Sequence, residues 1–446
     1  MSSMNSCDAN TSPGRWAASI AIKRLVVAAT VLIGLSGCYG NDPRYAAVPP
    51  PDPVQPAVTA QALPFEDAVA AAAGALFRNA RLPALEGGSA RHLLVIDPLI
   101  DGVTGARSAA TSSMESRIAS VVREQHAERF DLQPISTEAL SRSPLVLLGS
   151  FTGVGPGGRT VGVADAYRIW LVLVDVRSGR IVARGVARTL TAGVDTTPAP
   201  FERDSPLWLA ADGGRRAYLR TCEGAIGTAV DPAYLEGIFA SALVADAMTA
   251  YDAGQHRDAL GLFEAALRVP GGDQIRTHNG LFLANWALER PAEAEQAFAR
   301  AVEFGLRQGS LAVKMVFRPA STQFWPDPAV SSAYPVWLRQ IARRTAADAA
   351  CLRLTGHTSP TGPRAINDRL SLSRAEAIRA RLVEEAPPLG LRTGARGLGS
   401  RQPVVGTGRD DISDLLDRRV EFELVSCDAV RSTVLGDGAS AWQSPG

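Results

Sequence analysis

One arginine and the turn before it carry the clearest chemistry in this chain. Ser359, Pro360, Gly362 and Pro363 are turn formers, each with its own backbone preference. The pattern predicts a strand over 351–355, this turn, and a helix beginning near Leu370. Ser371 or Ser373 would be its N-cap and Glu376 its acidic first-turn partner. Arg374 then falls near the positive end of the helix, where backbone donors already favour an anion. A planar guanidinium adds a fork suited to a carboxylate. Other chemistries find no pattern. His92, His126, His256, His278 and His357 show no paired-ligand spacing, and there is no H-E-x-x-H, C-x-x-C or G-x-S-x-G. Asp97 and Asp101, at a strand end and in a loop, read as turn formers rather than as a carboxylate pair. Gly153, Gly155 and Gly158 satisfy G-x-G-x-x-G, but a strand follows where a dinucleotide site needs a helix. The expectation is a binding protein, not an enzyme, without metal or cofactor.

The elements that position this region belong to a long chain. Its 446 residues allow two to four domains. Net charge is +1, so no charge excess points to nucleic acid. Lys23 and Lys314 are the only lysines; the basic charge is otherwise arginine, which we read as coding bias. Residues 1–37 read as a leader. Arg15, Lys23 and Arg24 precede the apolar run 25–35, too short to span a bilayer, which needs about 20 residues, but suited to a signal peptide. Leu35-Ser36-Gly37-Cys38 resembles the bacterial lipobox, which implies lipid on Cys38. Tyr39 is not the aspartate that retains such proteins at the inner membrane, which implies the periplasmic face of the outer membrane. Acyl chains hold because each buried methylene contributes about 0.8 kcal/mol. Residues 38–62, with six prolines from Pro43 to Pro56, read as an extended tether.

Residues 63–205 read as an α/β domain. Helices are expected over 65–81 and 112–126. Strands are expected over 92–98, 130–135 and 144–151, with a hairpin of 166–176 and 181–189. Its strand texture and the hairpin around Arg177-Ser178-Gly179-Arg180 are similar to periplasmic domains of the TolB-N-terminal or FlgO-like kind, which implies assembly or interaction. A loop-rich boundary follows over 191–214, then a helix over 215–229. In 243–308, Ala259, Phe263 and Ala266 recur as Ala294, Phe298 and Ala301, a period of 35. With Tyr251, Gly254, Leu267 and Pro270 this resembles the tetratricopeptide repeat, and 215–309 is assigned to such hairpins. Two units fall short of the three usually needed, so they should lean on a neighbour. They offer either a groove for a periplasmic protein partner or a spacer.

The C-terminal motifs are Gly356-His357-Thr358-Ser359, Gly362, Asn367-x-x-Leu370-Ser371-x-x-Arg374-Ala375 and Arg418-Arg419-Val420-Glu421. They resemble the OmpA-like peptidoglycan-binding domain over 310–427. The resemblance implies a βαβαβ fold with helices on a mixed sheet, and thus a multidomain α+β chain. Its first strand is expected over 311–317, its first helix over 334–349, and Gly397, Gly399 and Pro403 lead to a last helix. It implies a peptidoglycan partner, the diaminopimelate of the stem peptide. Arg374 and Arg418 would engage carboxylates, Thr358 and Asn367 would give hydrogen bonds, and Phe317 and Leu370 would line the site. The family's aspartate after Gly-His-Thr is Ser359 here, so the acidic half of the clamp is missing. Cys351 opens one expected strand and Cys427 closes another; antiparallel neighbours would bring the thiols together as a disulfide, and otherwise both are buried thiols. Residues 428–446 read as a disordered tail.

Overall fold

The structure, a computed structural model, describes residues 61–85, 90–160, 164–208, 213–318, 320–403 and 417–430. The leader, Cys38, nearly all of the tether, the last helix expected after Pro403 and the tail from 431 lie outside the described residues. All that is described belongs to one compact unit, Pro53–Gly446.

The first layer holds α1 (Phe65–Arg78), β1 (His92–Ile96), β2 (Ile100–Asp101), α2 (Ala109–Gln125), β3 (Phe130–Gln133), α3 (Thr137–Ser141), β4 (Leu145–Val154), β5 (Ala166–Asp175) and β6 (Arg180–Leu190). Strand order is β3-β1-β4-β5-β6, with β2 added on β4. β1 runs parallel to β3 and β4, while β4, β5 and β6 form an antiparallel meander. The wholly apolar stretches of β4 and β5 follow from burial on both faces. Leu147, Ile169, Leu171 and Leu173 pack under α1 and α2. Val146, Leu148, Val172 and Val174 point the other way, onto the helices that follow, as the two-residue side-chain period requires. Ser108 starts α2 with a capping box: its hydroxyl accepts from Thr111 N, and Thr111 Oγ1 accepts from Ser108 N.

Next come α4 (Pro200–Asp204), α5 (Gly213–Glu223), α6 (Pro232–Asp252), α7 (His256–Ala266), α8 (Ile275–Ala287) and α9 (Pro291–Arg307). The helix expected over 215–229 ends at Glu223, and the 21-residue α6 follows from Pro232. Asp231 caps α6 through Ala233 N, and Pro232 supplies the preset φ of its first turn. By length and composition α6 is also apolar enough to cross a membrane, but half of that stretch is buried among its neighbours.

The last part holds β7 (Ser310–Val313), α10 (Pro328–Ser331), α11 (Tyr334–Ala347), β8 (Cys351–Gly356), α12 (Arg364–Glu385), β9 (Thr393–Gly397) and β10 (Val420–Val425). The sheet order is β7-β10-β8-β9, with β8 and β9 parallel and the other pairs antiparallel. The first strand is shorter than expected and stops before Phe317. On its outer edge Trp208 N donates to Ala312 O, and Lys314 N donates to Pro206 O. The loop around 206–208 therefore occupies the edge of β7 and is no free linker.

The helical hairpins and this sheet share one core that runs from Phe201 and Leu207 through Phe263 and Phe298 to Phe422. α11 makes the join. Trp337 stacks on Phe298 with ring centroids 5.7 Å apart and planes 19° apart. Around it Arg339 grips Glu295 through two bonds of 2.9 Å, and Arg344 meets Glu303 at 2.6 Å. One face of α9 is thus covered by α11. Cys351 and Cys427 are joined as a disulfide, Cα atoms 5.2 Å apart, because β8 and β10 pair Cys351 with Val425, two residues before Cys427. Cys222 is a buried thiol.

Replacing Trp337 with Ala should lower stability by about 3–5 kcal/mol, measured as the urea midpoint of the whole unit; an unchanged midpoint would deny the shared core. Cys427→Ser opens a loop spanning 76 residues and should cost about 2–5 kcal/mol in the same assay, an effect that a reducing agent reproduces in the wild type alone.

Candidate ligand site on the C-terminal sheet

The candidate residues sit where the ends of β8 and β9 meet α12. This helix starts at Arg364 after Pro363, whose φ is −65°, six residues before the expected start at Leu370. Nothing between 364 and 370 breaks a helix, and proline is preorganised to begin one. The placement of Arg374 near the positive end is therefore corrected: it lies ten residues inside, about 15 Å from the first turn. Ser371 is not an N-cap either. Its hydroxyl donates to Asp368 O at 2.9 Å and accepts from Gly399 N at 2.8 Å, tying the loop after β9 to the helix.

Glycine makes this approach possible. A Cβ on Gly356 would lie 2.0 Å from Ser371 O, and one on Gly397 would lie 2.4 Å from Leu372 N. Helix and sheet ends touch backbone to backbone. Asn367, Ser371 and Arg374, spaced at four and three residues, consequently share the buried face of α12.

Each candidate has a definite place. Thr358 is buried, its N–H donates to Gly399 O at 3.0 Å, and its hydroxyl has no hydrogen-bond partner among the described residues. Ser359 is buried with its hydroxyl 3.1 Å from that of Thr361. Asn367 donates through Nδ2 to Thr361 O at 2.8 Å. Thr361 thus joins these two candidates. Arg374 is 3% exposed. Its Nε donates to Ser321 O at 3.1 Å and its Nη2 to Arg318 O at 3.2 Å, and the guanidinium lies 4.9 Å from the centre of the Phe317 ring. Its planar fork is turned in part onto the main chain of the 318–321 loop. Leu370 is half-buried, as is Arg418.

The buried arginine of the Arg418-Arg419 pair is Arg419. Its Nε donates to Glu421 Oε1 at 2.7 Å, its Nη1 donates to Gln402 O at 3.3 Å, and it lies over Trp208. Sequence reasoning gave Arg419 and Glu421 no role. The signal was present: side chains alternate along a strand, so Arg419 and Glu421 share one face. Trp208, over 200 residues away, left no such signal.

No family model matches the chain. It is 42% identical to the outer membrane protein Omp38 of Acinetobacter baumannii over 55 residues, 12% of this chain and 15% of that relative's length. Among solved structures it is similar to the peptidoglycan-associated lipoprotein of Burkholderia pseudomallei, with 25% identity over 27% of this chain and 93% of that one, at a TM-score of 0.22. It is similar also to the cell wall anchor of the type VI secretion system of Pseudomonas aeruginosa, with 23% identity over 26% of this chain and 79% of that one, at a TM-score of 0.22.

Electrostatically, the middle of this layer is a buried pair. The His357 side chain is fully enclosed and stands 3.6 Å from Glu421 Oε2. Burial pushes His357 below its usual value, against the pull of Glu421, so it is neutral at pH 7. Burial would raise Glu421, but the adjacent His357 ring and the charge and hydrogen bond of Arg419 outweigh it and hold the carboxyl at about 2. A carboxyl depressed in the folded state stabilises the fold above its ordinary value of 4.5, and that contribution is lost as pH falls from there toward 2. Glu421→Gln should therefore lower the urea midpoint at neutral pH and flatten its fall between about pH 4.5 and 2. A parallel fall in variant and wild type would show that Glu421 is not the linked group.

Proposed function

We propose that this protein is an outer-membrane lipoprotein, anchored through Cys38, that grips peptidoglycan non-covalently with its C-terminal domain. The carrying observation is that Thr358, Ser359, Asn367 and Arg374, the positions that match the OmpA-like motif, lie together on the turn after β8 and the buried face of α12. The likeness to Omp38 over 55 residues supports the same reading. The ligand is the diaminopimelate of the stem peptide. Arg374 supplies the charge for its carboxylate and stands over Phe317. Its bonds to the 318–321 carbonyls fix the guanidinium plane, as a preorganised clamp requires. The buried hydroxyl of Thr358, without a partner among the described residues, is a hydrogen-bonding group for the ligand. Ser359 accepts from the ammonium without the charge of an aspartate, and charge-assisted bonds are roughly twice as strong as neutral ones. Binding is accordingly weaker than an aspartate would give. An adaptor role through the helical hairpins has less support, since α11 covers one face of α9.

The test is retention of the unit Pro53–Gly446 on purified peptidoglycan sacculi. The wild type should be retained and released by soluble diaminopimelate. Arg374→Ala, checked for folding by circular dichroism, should weaken retention about ten- to hundredfold, the worth of a hydrogen bond to a charged group. Ser359→Asp should strengthen it. No retention of the wild type would overturn the proposal, and indifference to Ser359→Asp would remove that residue from the ligand.

A further inference from the structure

A second place in the molecule is built like a small-molecule site. A cavity of about 370 Å³ lies where the first sheet meets the helical hairpins. That volume falls in the range of ligand pockets, roughly 300–1,000 Å³. It opens beyond the carboxyl end of β1, at Asp97 and Pro98. From there the chain leads through α2 to β3 on one side of β1, while β4 leads to β5 on the other. Such a divergence of connections is where open α/β sheets bind ligands.

The walls divide by chemistry. Ile100, Val244, Met248 and Phe304 form an apolar side. Arg107 and Arg276 line the cavity as cations, and Asp97, Glu236 and Asp273 line it as acids; Asp273 is engaged by His278 and Arg307, and Glu236 is exposed. Nε and Nη1 of Arg107 and Nε of Arg276 are buried and have no hydrogen-bond partner among the described residues. Buried donors left unpaired are costly, about 1–3 kcal/mol each and more when charged, so native proteins seldom keep them without a reason. The nearby carboxylates do not meet this need. Glu202 Oε1 forms an ion pair with Arg276 Nε at 3.8 Å, too long for a hydrogen bond, and among the described residues accepts only the main-chain N–H of Arg107, at 3.4 Å. Glu115 and Asp252 accept from the N–H groups of Leu99 and Phe201. Lys314 adds a third cation, itself buried, beside Glu202 and bonded to Glu202 O. Across the cavity the carboxyl of Asp97, 4% exposed, accepts from the Tyr234 hydroxyl at 2.8 Å. Burial pushes Asp97 up to about 6, so it stays largely ionised at neutral pH and directs an anion toward the arginine end of the cavity.

We propose that this junction cavity binds a small organic carboxylate with a compact apolar body, its carboxylate taking the idle donors of Arg107 and Arg276 and its body packing against Val244, Met248 and Phe304. The ligand bridges the first sheet and the helical hairpins, since Arg107 precedes α2 and Arg276 lies in α8.

The test uses trifluoromethylbenzoate as probe and the neutral trifluoromethylbenzamide as its match, followed by fluorine NMR titration of the unit Pro53–Gly446. The benzoate should bind the wild type at least tenfold more tightly than the amide. Arg107→Gln should remove that preference. Ser241→Trp, which fills the cavity from the half-exposed side of α6, should abolish binding of both probes, and Arg374→Ala should leave it unchanged. Circular dichroism checks each fold; if Arg107→Gln does not fold, Ser241→Trp decides. No benzoate binding by the wild type, equal binding of benzoate and amide, or binding that survives Ser241→Trp overturns the proposal. Loss with Arg374→Ala overturns it too, by moving the probe to the C-terminal site.

Discussion

Trp337 lying flat on Phe298 joins two regions that neither sequence periodicity nor local propensity would have fused. The contact belongs to a run of neighbouring rings: Phe298, Trp337, Tyr334, Phe324 and Phe317, successive centroids 4.9–5.7 Å apart. The run begins between two helices of a repeat and ends under the guanidinium of Arg374. Aromatic pairs add about 0.5–1.5 kcal/mol each beyond the area they bury. The position of the candidate arginine is therefore set partly by packing that starts in the helical hairpins. The helical hairpins bury one of their faces against α11.

A second constraint is the closeness of α12 to the sheet. Gly356 and Gly397 leave room for backbone contact only, so any side chain there would push the helix away. Because the gap is so small, polar groups on that face lose water and must find partners within the protein. Asn367 and Arg374 do so with main-chain carbonyls of nearby loops, and Ser371 does so with Asp368 O of its own helix and the N–H of Gly399. Arg419 does so with Glu421 and Gln402. The same glycines that mark the motif in the sequence thus account for the burial of its charged residues.

The junction between the first sheet and the hairpins is organised differently. Its arginines are half-buried, several of their enclosed donors have no hydrogen-bond partner among the described residues, and the space beside them is open. Dense aromatic packing rimmed by ion pairs on one side of the hairpins, and a cavity beside idle arginine donors on the other, mark two kinds of interface in one unit.

The sequence alone determined what depends on near neighbours. Two-residue and helical periods located the strands and most helices of the first layer to within a few residues. They put Cys351 and Cys427 at the ends of two strands and left their meeting open; the antiparallel pairing of β8 and β10 decided it. The sequence also named Thr358, Ser359, Asn367 and Arg374, whose spacing is a property of one turn and one helix. Only the tertiary structure decided what depends on distant partners. It moved the start of α12 to Arg364, three residues before the helix reaches the sheet at Asn367. It turned Arg374 onto the carbonyls of 318–321, chose Arg419 over Arg418 for burial, and set Trp208 against it. It also covered α9 with α11 and left the cavity at Arg107 and Arg276. Local preference writes periods and caps into a sequence, whereas burial and hydrogen-bond satisfaction are settled by residues hundreds of positions away.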